Sequence, residues 1–156
     1  MILRPALATD AGAMAALIRS HQQLMTLDPE GRGAETFLQS VAEPAIRAHL
    51  AADNYHHLVA DEGGELAGYI AIRDQRHLFH LFVAKTQQRK GLARQLWELA
   101  RRHAEAHGNP GWFTVNSSLI AQPVYERFGF RQSAPRVEQH GVAFVPMRLE
   151  LAPAES

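Results

Sequence analysis

The segment HLFHLFVAKTQQRKGLARQLWELA, from His77 to Ala100, constrains the fold more than any other stretch of the chain. It begins as an apolar β-type run to Ala84, crosses a polar and basic turn containing Gly91, and continues at helical periodicity. In its second half Leu92, Leu96, Leu99 and His103 form one stripe, and Ala93, Trp97, Ala100 and Ala104 an adjacent one, which predicts a helix with a wide buried face. Gly108 and Pro110 end that helix, and the β-type run GWFTVN follows. Strand, helix and strand in this order predict a β–α–β crossover in the middle of the molecule.

The flanking segments fill in a mixed α/β pattern. MILRPA reads as a short strand, and Thr9 or Asp10 can cap a following helix whose apolar positions Met14, Leu17, Ile18 and Leu24 recur at helical spacing. TLDPEGRG is a polar turn, after which Ala34 to Ala51 is helical in pattern, divided by Pro44. YHHLVADEGGELAGYIAIRD holds two β-type runs around DEGG, a hairpin that makes a three-strand meander with the run from His77. AQPVYERF is a short helix, and FGFRQS and GVAFVPMRLEL are two closing strands. The expectation is a mixed, mostly antiparallel central sheet of about seven strands with helices on both faces. No repeat or composition break divides the 156 residues, so residues 1–151 are expected to form one domain and 152–156 a loose tail.

Charge and cysteine content remove several classes of function. Lysine plus arginine number 16, as do aspartate plus glutamate, so no overall field draws the chain to nucleic acid or to an anionic membrane. A nucleic-acid reading rests only on Arg89, Lys90, Arg94, Arg101 and Arg102. Without cysteine there is no disulfide, thiolate metal site or cysteine nucleophile, a composition compatible with the cytoplasm. Arg4, Pro5 and Asp10 interrupt the apolar start that a secretion signal needs, and no run is long enough to span a membrane. HAEAH sets His103 and His107 one helical turn apart, but a zinc-protease helix needs glutamate directly after the first histidine, and Glu105 is displaced. Histidines in a last helical turn also suit its dipole, and no metal is expected.

The turn before Leu92 is the candidate binding element. A helix N-terminus offers unpaired N–H groups and partial positive charge, and Arg89, Lys90 and Arg94 add side-chain charge around Gly91. An anionic, phosphate-bearing ligand fits such a turn; a glycine that merely turns the chain into a solvated helix start is an equal reading of this segment alone. Neither the triphosphate-binding glycine loop nor the dinucleotide-binding Gly-x-Gly-x-x-Gly pattern is present.

VAKTQQRKGLARQL resembles the acyl-CoA-binding motif of the GCN5-related N-acetyltransferase (GNAT) superfamily, Gln/Arg-x-x-Gly-x-Gly/Ala, filled here by Gln88, Gly91 and Ala93. The motif follows a strand ending in Val83 and opens a long helix; 34 residues beyond Gly91, Tyr125 in YERFGF resembles the family's second signature, a tyrosine followed by Gly-Phe. The order of elements is similar along nearly the whole chain. The resemblance implies that the amides from Gln88 through Leu92 to Ala93, helped by Arg89, Lys90 and Arg94, cradle the CoA pyrophosphate. It implies that backbone groups of Phe82 and Val83 pair with the pantetheine arm, that Val83 N–H polarises the thioester carbonyl, and that Asn116 contacts the arm. Acetyl-CoA is then the co-substrate, with no metal needed, and a homodimer through the last strands is an option.

Acetyl transfer to an amine requires a base for the nucleophile, support for the oxyanion and a proton for the thiolate. Tyr125 is the candidate acid, since a phenol near pKa about 10 can protonate a thiolate whose conjugate acid lies near about 8.5. His77 is the first candidate base, because it sits six residues before Val83, where histone-type members of the superfamily carry glutamate and arylalkylamine-type members histidine. Strand alternation puts His77, Phe79, Leu81 and Val83 on one face and His80 with Phe82 on the other; His80 is the second candidate, since a bulge would exchange the faces. A water chain is the alternative to either. Thr114 stands where some protein-acetylating members place a glutamate, which argues against a protein acceptor.

The acceptor pocket is expected between the first two helices, the TLDPEGRG loop and the strands from Tyr69 and His77 onward, with Asp28 and Glu30 available to attract a cation. The predicted function is an N-acetyltransferase in which a small-molecule or peptide amine attacks acetyl-CoA directly in a ternary complex; the alternative is a non-catalytic acyl-CoA-binding or sensing module of the same fold.

Overall fold

The computed structural model describes residues 1–152, so the tail expected from residue 152 lies, beyond Ala152, outside the described residues. In chain order the elements are β1 (Ile2–Pro5), α1 (Ala11–Arg19), α2 (Gln22–Met25), α3 (Glu35–Ser40), α4 (Glu43–Ala51), β2 (Tyr55–Glu62), β3 (Glu65–Arg73), β4 (His77–Val83), α5 (Leu92–Ala106), β5 (Trp112–Ser117), α6 (Gln122–Phe128), β6 (Arg131–Gln132), β7 (Val137–Gln139) and β8 (Val142–Glu150). Pro44 sits in the first turn of α4, where its missing N–H costs nothing, and separates α3 from α4 as expected.

The sheet runs β1-β2-β3-β4-β5-β8-β6, with β7 also paired to β8. It has eight strands rather than about seven, because the short β7 folds back on β8 through the two-residue turn His140–Gly141. All neighbours are antiparallel except β4 and β5, the arms of the predicted crossover. Those two pair only at His77 with Thr114 and Leu78 with Val115. Beyond that point β4 continues along β3 and β5 along β8, so the sheet splits into a wedge at its centre.

One core lies under α5, whose Leu92, Leu96, Trp97, Ala100 and Ala104 are buried against Ile70, Ile72, Leu78, Phe113 and Met147. Trp97 is packed edge-on to Phe113 and parallel to Phe128, with ring centroids 5.0 and 5.9 Å apart. The buried face centres on Trp97, which leaves Leu99, assigned above to the stripe, turned outward and 39% exposed. The second core, on the other face, joins Met14, Ile18, Val41 and Ile46 of the N-terminal helices to Val59, Tyr69 and Ala71. Helix α1 stops at Arg19, where Ser20 Oγ donates to Leu17 O at 2.6 Å, so Leu24 belongs to the separate α2 and is exposed rather than continuing the apolar face. Asp10 holds the entry to α1 by accepting from Leu7 N–H at 2.7 Å and from both terminal nitrogens of Arg4 at 2.9 and 3.1 Å.

A register shift between Ala71 and Ile72 places His80 opposite Ala71 and Leu78 opposite Ile72, which leaves Phe79 as the extra residue of a bulge in β4. Strict alternation fails there. Phe79 and Phe82 face the N-terminal helices, Leu81 and Val83 face α5, and His77 and His80 come to share the first of these faces rather than lying on opposite ones.

Candidate functional site

The wedge between β4 and β5 holds a cavity of about 430 Å³. β4 supplies its floor, Val115 and Asn116 of β5 with Tyr125 of α6 one wall, and α3 with the start of β8 the other. Its roof is tied down: Leu27 N–H donates to Gly141 O at 2.9 Å, Thr26 bridges Val142, and a Cβ on Gly141 would lie 2.5 Å from Gly33 O.

One flank of β4 has no strand beside it after Leu78. Ala84 N–H donates to Ala67 O at 2.8 Å, so alternation aims the backbone of Phe82 at β3 as well and that of Leu81 and Val83 into the wedge. A Cβ on Gly68 would come within 2.9 Å of Phe82 O, which places that carbonyl against β3. Val83 therefore has the free edge the sequence suggested, Phe82 offers its ring instead, and Leu81 is a second edge amide that the sequence reading missed. Gln88 Nε2 donates to Val83 O at 3.2 Å and folds the turn back over the end of β4.

The turn itself is open. Gly91 is the N-cap of α5 at φ 80°, with no side chain capping the helix. A Cβ there would meet nothing within 4 Å, so the requirement is for left-handed backbone rather than for space. Arg89 is also left-handed at φ 64°, a conformation that costs a non-glycine residue energy and fixes the shape of the turn. The amides of Leu92, Ala93 and Arg94 have no acceptor within the helix. Gln88, Arg89, Lys90 and Gly91 are exposed, and neither Arg89 nor Lys90 has an ion-pair partner among the described residues. Arg94 differs: its guanidinium donates to Arg127 O at 3.1 Å and lies 5.3 Å from the Phe128 ring centroid, tying α5 to the end of α6.

Tyr125 lines the cavity and is 6% exposed. Its signature has a local cause. Gly129 is left-handed at φ 104° and ends α6, Phe130 N–H closes back onto Tyr125 O at 3.0 Å, and the buried Phe130 ring packs behind Tyr125 at 5.8 Å. Burial pushes the phenol's pKa well above its usual value, so the hydroxyl keeps its proton. Asn116 is exposed on the edge of β5 and lines the wedge.

Both candidate histidines reach the cavity. His77 Nδ1 lies 2.8 Å from Thr114 Oγ1, and burial, aided by Arg73, lowers its pKa to about 4. His80 Nδ1 lies 2.8 Å from the hydroxyl of Tyr69, and burial lowers its pKa to about 3. Tyr69 is fully buried with no other hydrogen-bond partner among the described residues, so its proton goes to His80 Nδ1 and the His80 proton sits on Nε2. That tautomer makes His80 a donor toward the cavity. Thr114 can accept as well as donate, which leaves His77 free to present an unprotonated Nε2. Asp28 and Glu30 are not in the cavity; both are engaged by Arg32, so no acidic lure forms there. His103 and His107 stack at 4.0 Å on α5, with His56 stacked on His103 at 3.6 Å.

The molecule is similar to solved structures over its whole length. The GCN5-related N-acetyltransferase "Aminotransferase, Class-II" from Rhodopseudomonas palustris is 21% identical, with 96% of this chain and 95% of that one aligned at a TM-score of 0.73. The PaiA N-acetyltransferase from Thermoplasma acidophilum, solved in complex with coenzyme A, is 13% identical over 96% and 98% at 0.75. The ribosomal-protein-S18-alanine N-acetyltransferase from Escherichia coli is 19% identical over 99% and 96% at 0.70. No curated protein matches the sequence. At these identities the structures establish a shared fold, a mostly antiparallel sheet flanked by helices. The family model of the acetyltransferase (GNAT) domain matches residues 23–151, from α2 to the end of β8, and includes the wedge, the turn at Gly91 and Tyr125. The chain therefore belongs to the GNAT acetyltransferase family.

Proposed function

We propose that this protein is an acetyl-CoA-dependent N-acetyltransferase that joins acetyl-CoA and an amine in one ternary complex. The observation that carries the reading is succession along the chain. Past Leu78 the edge of β4 has no neighbouring strand among the described residues, and one turn through Lys85–Gln87 joins it to the uncapped, exposed N-terminus of α5, so edge amides and then helix amides come in the order in which an extended arm ending in a diphosphate would use them. Arg89 and Lys90 supply mobile charge to the diphosphate, whereas Arg94 fixes the helix pair that forms the wall.

In the transfer the amine nitrogen bonds to the carbonyl carbon, the carbon–sulfur bond breaks, and the sulfur leaves with a proton. The amides of Leu81 and Val83 hold the arm and stabilise the charge developing on the carbonyl oxygen. Tyr125, neutral and at the cavity wall, gives its proton to the sulfur. His77, oriented by Thr114, takes the amine proton through Nε2 directly or across one water, and Asn116 positions the arm from the β5 side. His80 is a neutral donor that helps orient the acceptor.

Release of free thiol from acetyl-CoA in the presence of a panel of amines, with calorimetry of CoA binding alongside, tests the reading. CoA binding with amine-dependent thiol release is expected. Binding without turnover on any amine would make the protein an acyl-CoA-binding module, and absence of binding would remove the reading altogether.

A further inference from the structure

The acceptor end of the cavity carries one charged side chain. Among the described residues Arg73 is the one arginine in the lining, which holds no aspartate, glutamate or lysine, and His77, His80, His140 and Tyr125 are the other titratable side chains there. The remaining lining is aromatic and aliphatic, with Phe37, Phe79 and Phe144 the large surfaces and the hydroxyls of Thr36 and Ser40 between them. Carboxylates next in sequence to lining residues are turned to partners of their own: Glu35 accepts from Gly33 N–H at 3.1 Å and Glu138 pairs with Arg136 at 2.7 Å.

Arg73 is held but not spent. It ends β3 opposite His77, with its guanidinium carbon 5.5 Å from the Phe79 ring centroid. Asp74 forms an ion pair with its Nε at 3.7 Å, longer than a hydrogen bond, and the terminal nitrogens have no hydrogen-bond partner among the described residues. A guanidinium fixed on an aromatic face with its fork free is the geometry that receives a carboxylate through two N–H donors. A polycationic acceptor would meet the opposite: a cation in the lining whose only nearby acid among the described residues, Asp74, is already paired with it.

We propose that the acceptor is an amino acid, its carboxylate paired with Arg73 and an apolar or aromatic side chain seated against Phe37, Phe79 and Phe144. This rests on the acetyltransferase reading above. The amine then projects from the Arg73 end toward His77 and the thioester, and amines lacking the acid group lose their orientation.

Steady-state turnover of L-phenylalanine, phenethylamine and spermidine by the full chain with acetyl-CoA tests the proposal. Phenylalanine is expected to exceed phenethylamine in kcat/KM by about tenfold or more, the worth of a charge-assisted pair, with spermidine last. Arg73→Gln should pull the phenylalanine-to-phenethylamine ratio toward one, and Arg73→Lys should retain part of it. Equal use of the two aromatic amines, preference for spermidine, or equal losses for both amines in Arg73→Gln overturns it. If no amine is turned over, the acetyltransferase reading falls separately, and calorimetry with N-acetylphenylalanine and N-acetylphenethylamine in the presence of CoA decides the point. Arg73-dependent binding of the acid alone upholds the carboxylate site; equal binding of both compounds, or of neither, rejects it.

Discussion

The two ends of the cleft are made of different material. At the proposed cofactor end the binding groups are main-chain amides: the free edge of β4 and the uncapped start of α5, with Gly91 and Arg89 in left-handed conformations. At the proposed acceptor end they are side chains lining the cavity, Arg73, His77, His80 and three phenylalanines, brought together from β3, β4, α3 and β8. Main-chain donors depend on backbone path and tolerate many side chains, whereas a side-chain pocket is changed by each substitution. One fold can thus keep its co-substrate while exchanging acceptors.

The strongest way to break this contrast is to damage the backbone end. Gly91→Glu places a carboxylate on a left-handed N-cap beside the proposed diphosphate site, and CoA affinity by calorimetry should fall at least 100-fold, on the order of two charge-assisted contacts. Gly91→Ala adds a methyl group with nothing within 4 Å of it. Its expected effect is a conformational cost of about 1–2 kcal/mol, visible as a lower melting temperature, with CoA affinity less affected than in the glutamate variant. Equal CoA affinity in Gly91→Glu and the natural protein would remove the turn from the site.

Tyr125 stands where the two ends meet. Tyr125→Phe keeps the ring packed on Phe128 and Phe130 and deletes only the hydroxyl. Turnover should fall by about 100-fold with CoA affinity nearly unchanged, as expected for a proton donor to the leaving sulfur. Parallel losses in both would make the hydroxyl a binding group instead.

The difference in material also decides what could be read from the chain. Gln88, Gly91 and Ala93 fall within six residues, and a left-handed N-cap leaves its mark as glycine, so the turn proposed for the cofactor was legible along with the crossover that presents it. Tyr125 was legible because Gly129 and Phe130 form the helix stop behind it. Nothing local announces Arg73. It becomes a site residue only through pairing of β3 with β4 and closure of the α3 segment over the sheet. The bulge at Phe79 hides in the same way: HLFHLFV alternates equally well with or without one extra residue, and only register against Ala71 and Ile72 reveals it. That single shift moved His77 and His80 onto one face. Leu81 was missed because the hydrogen-bonding direction of a strand amide depends on its neighbour, not on its side chain.

His77 and His80 sharpen the contrast at smaller amplitude. With its ring held near pKa about 4, His77 is neutral above pH 5, so the enzyme-derived acidic limb of kcat/KM should lie near pH 4 rather than 6.5. Thr114→Val removes the Nδ1 partner and should lower turnover by about tenfold without moving CoA affinity. A limb near pH 6.5 that survives in His77→Gln would assign the base to another group.

The smallest expected effect separates catalysis from folding. Burial lowers the pKa of His77 at the cleft, and on the sheet's other face it lowers that of His56, which stacks on His103, to about 4. His56 Nε2 and His103 Nδ1 have no hydrogen-bond partner among the described residues, so protonation gains them none there. The unfolded chain binds the His56 proton near pH 6.5 and the folded one only near 4, so this contribution to stability is complete above pH 6.5 and is lost as pH falls from 6.5 to 4. The urea midpoint should drop across that window, and His56→Gln should flatten the slope while leaving the pH profile of kcat/KM in place. His77→Gln should alter both. If His56→Gln moves the kinetic profile as well, the two faces of the sheet are coupled, and the acceptor end does not titrate independently of the α5 face.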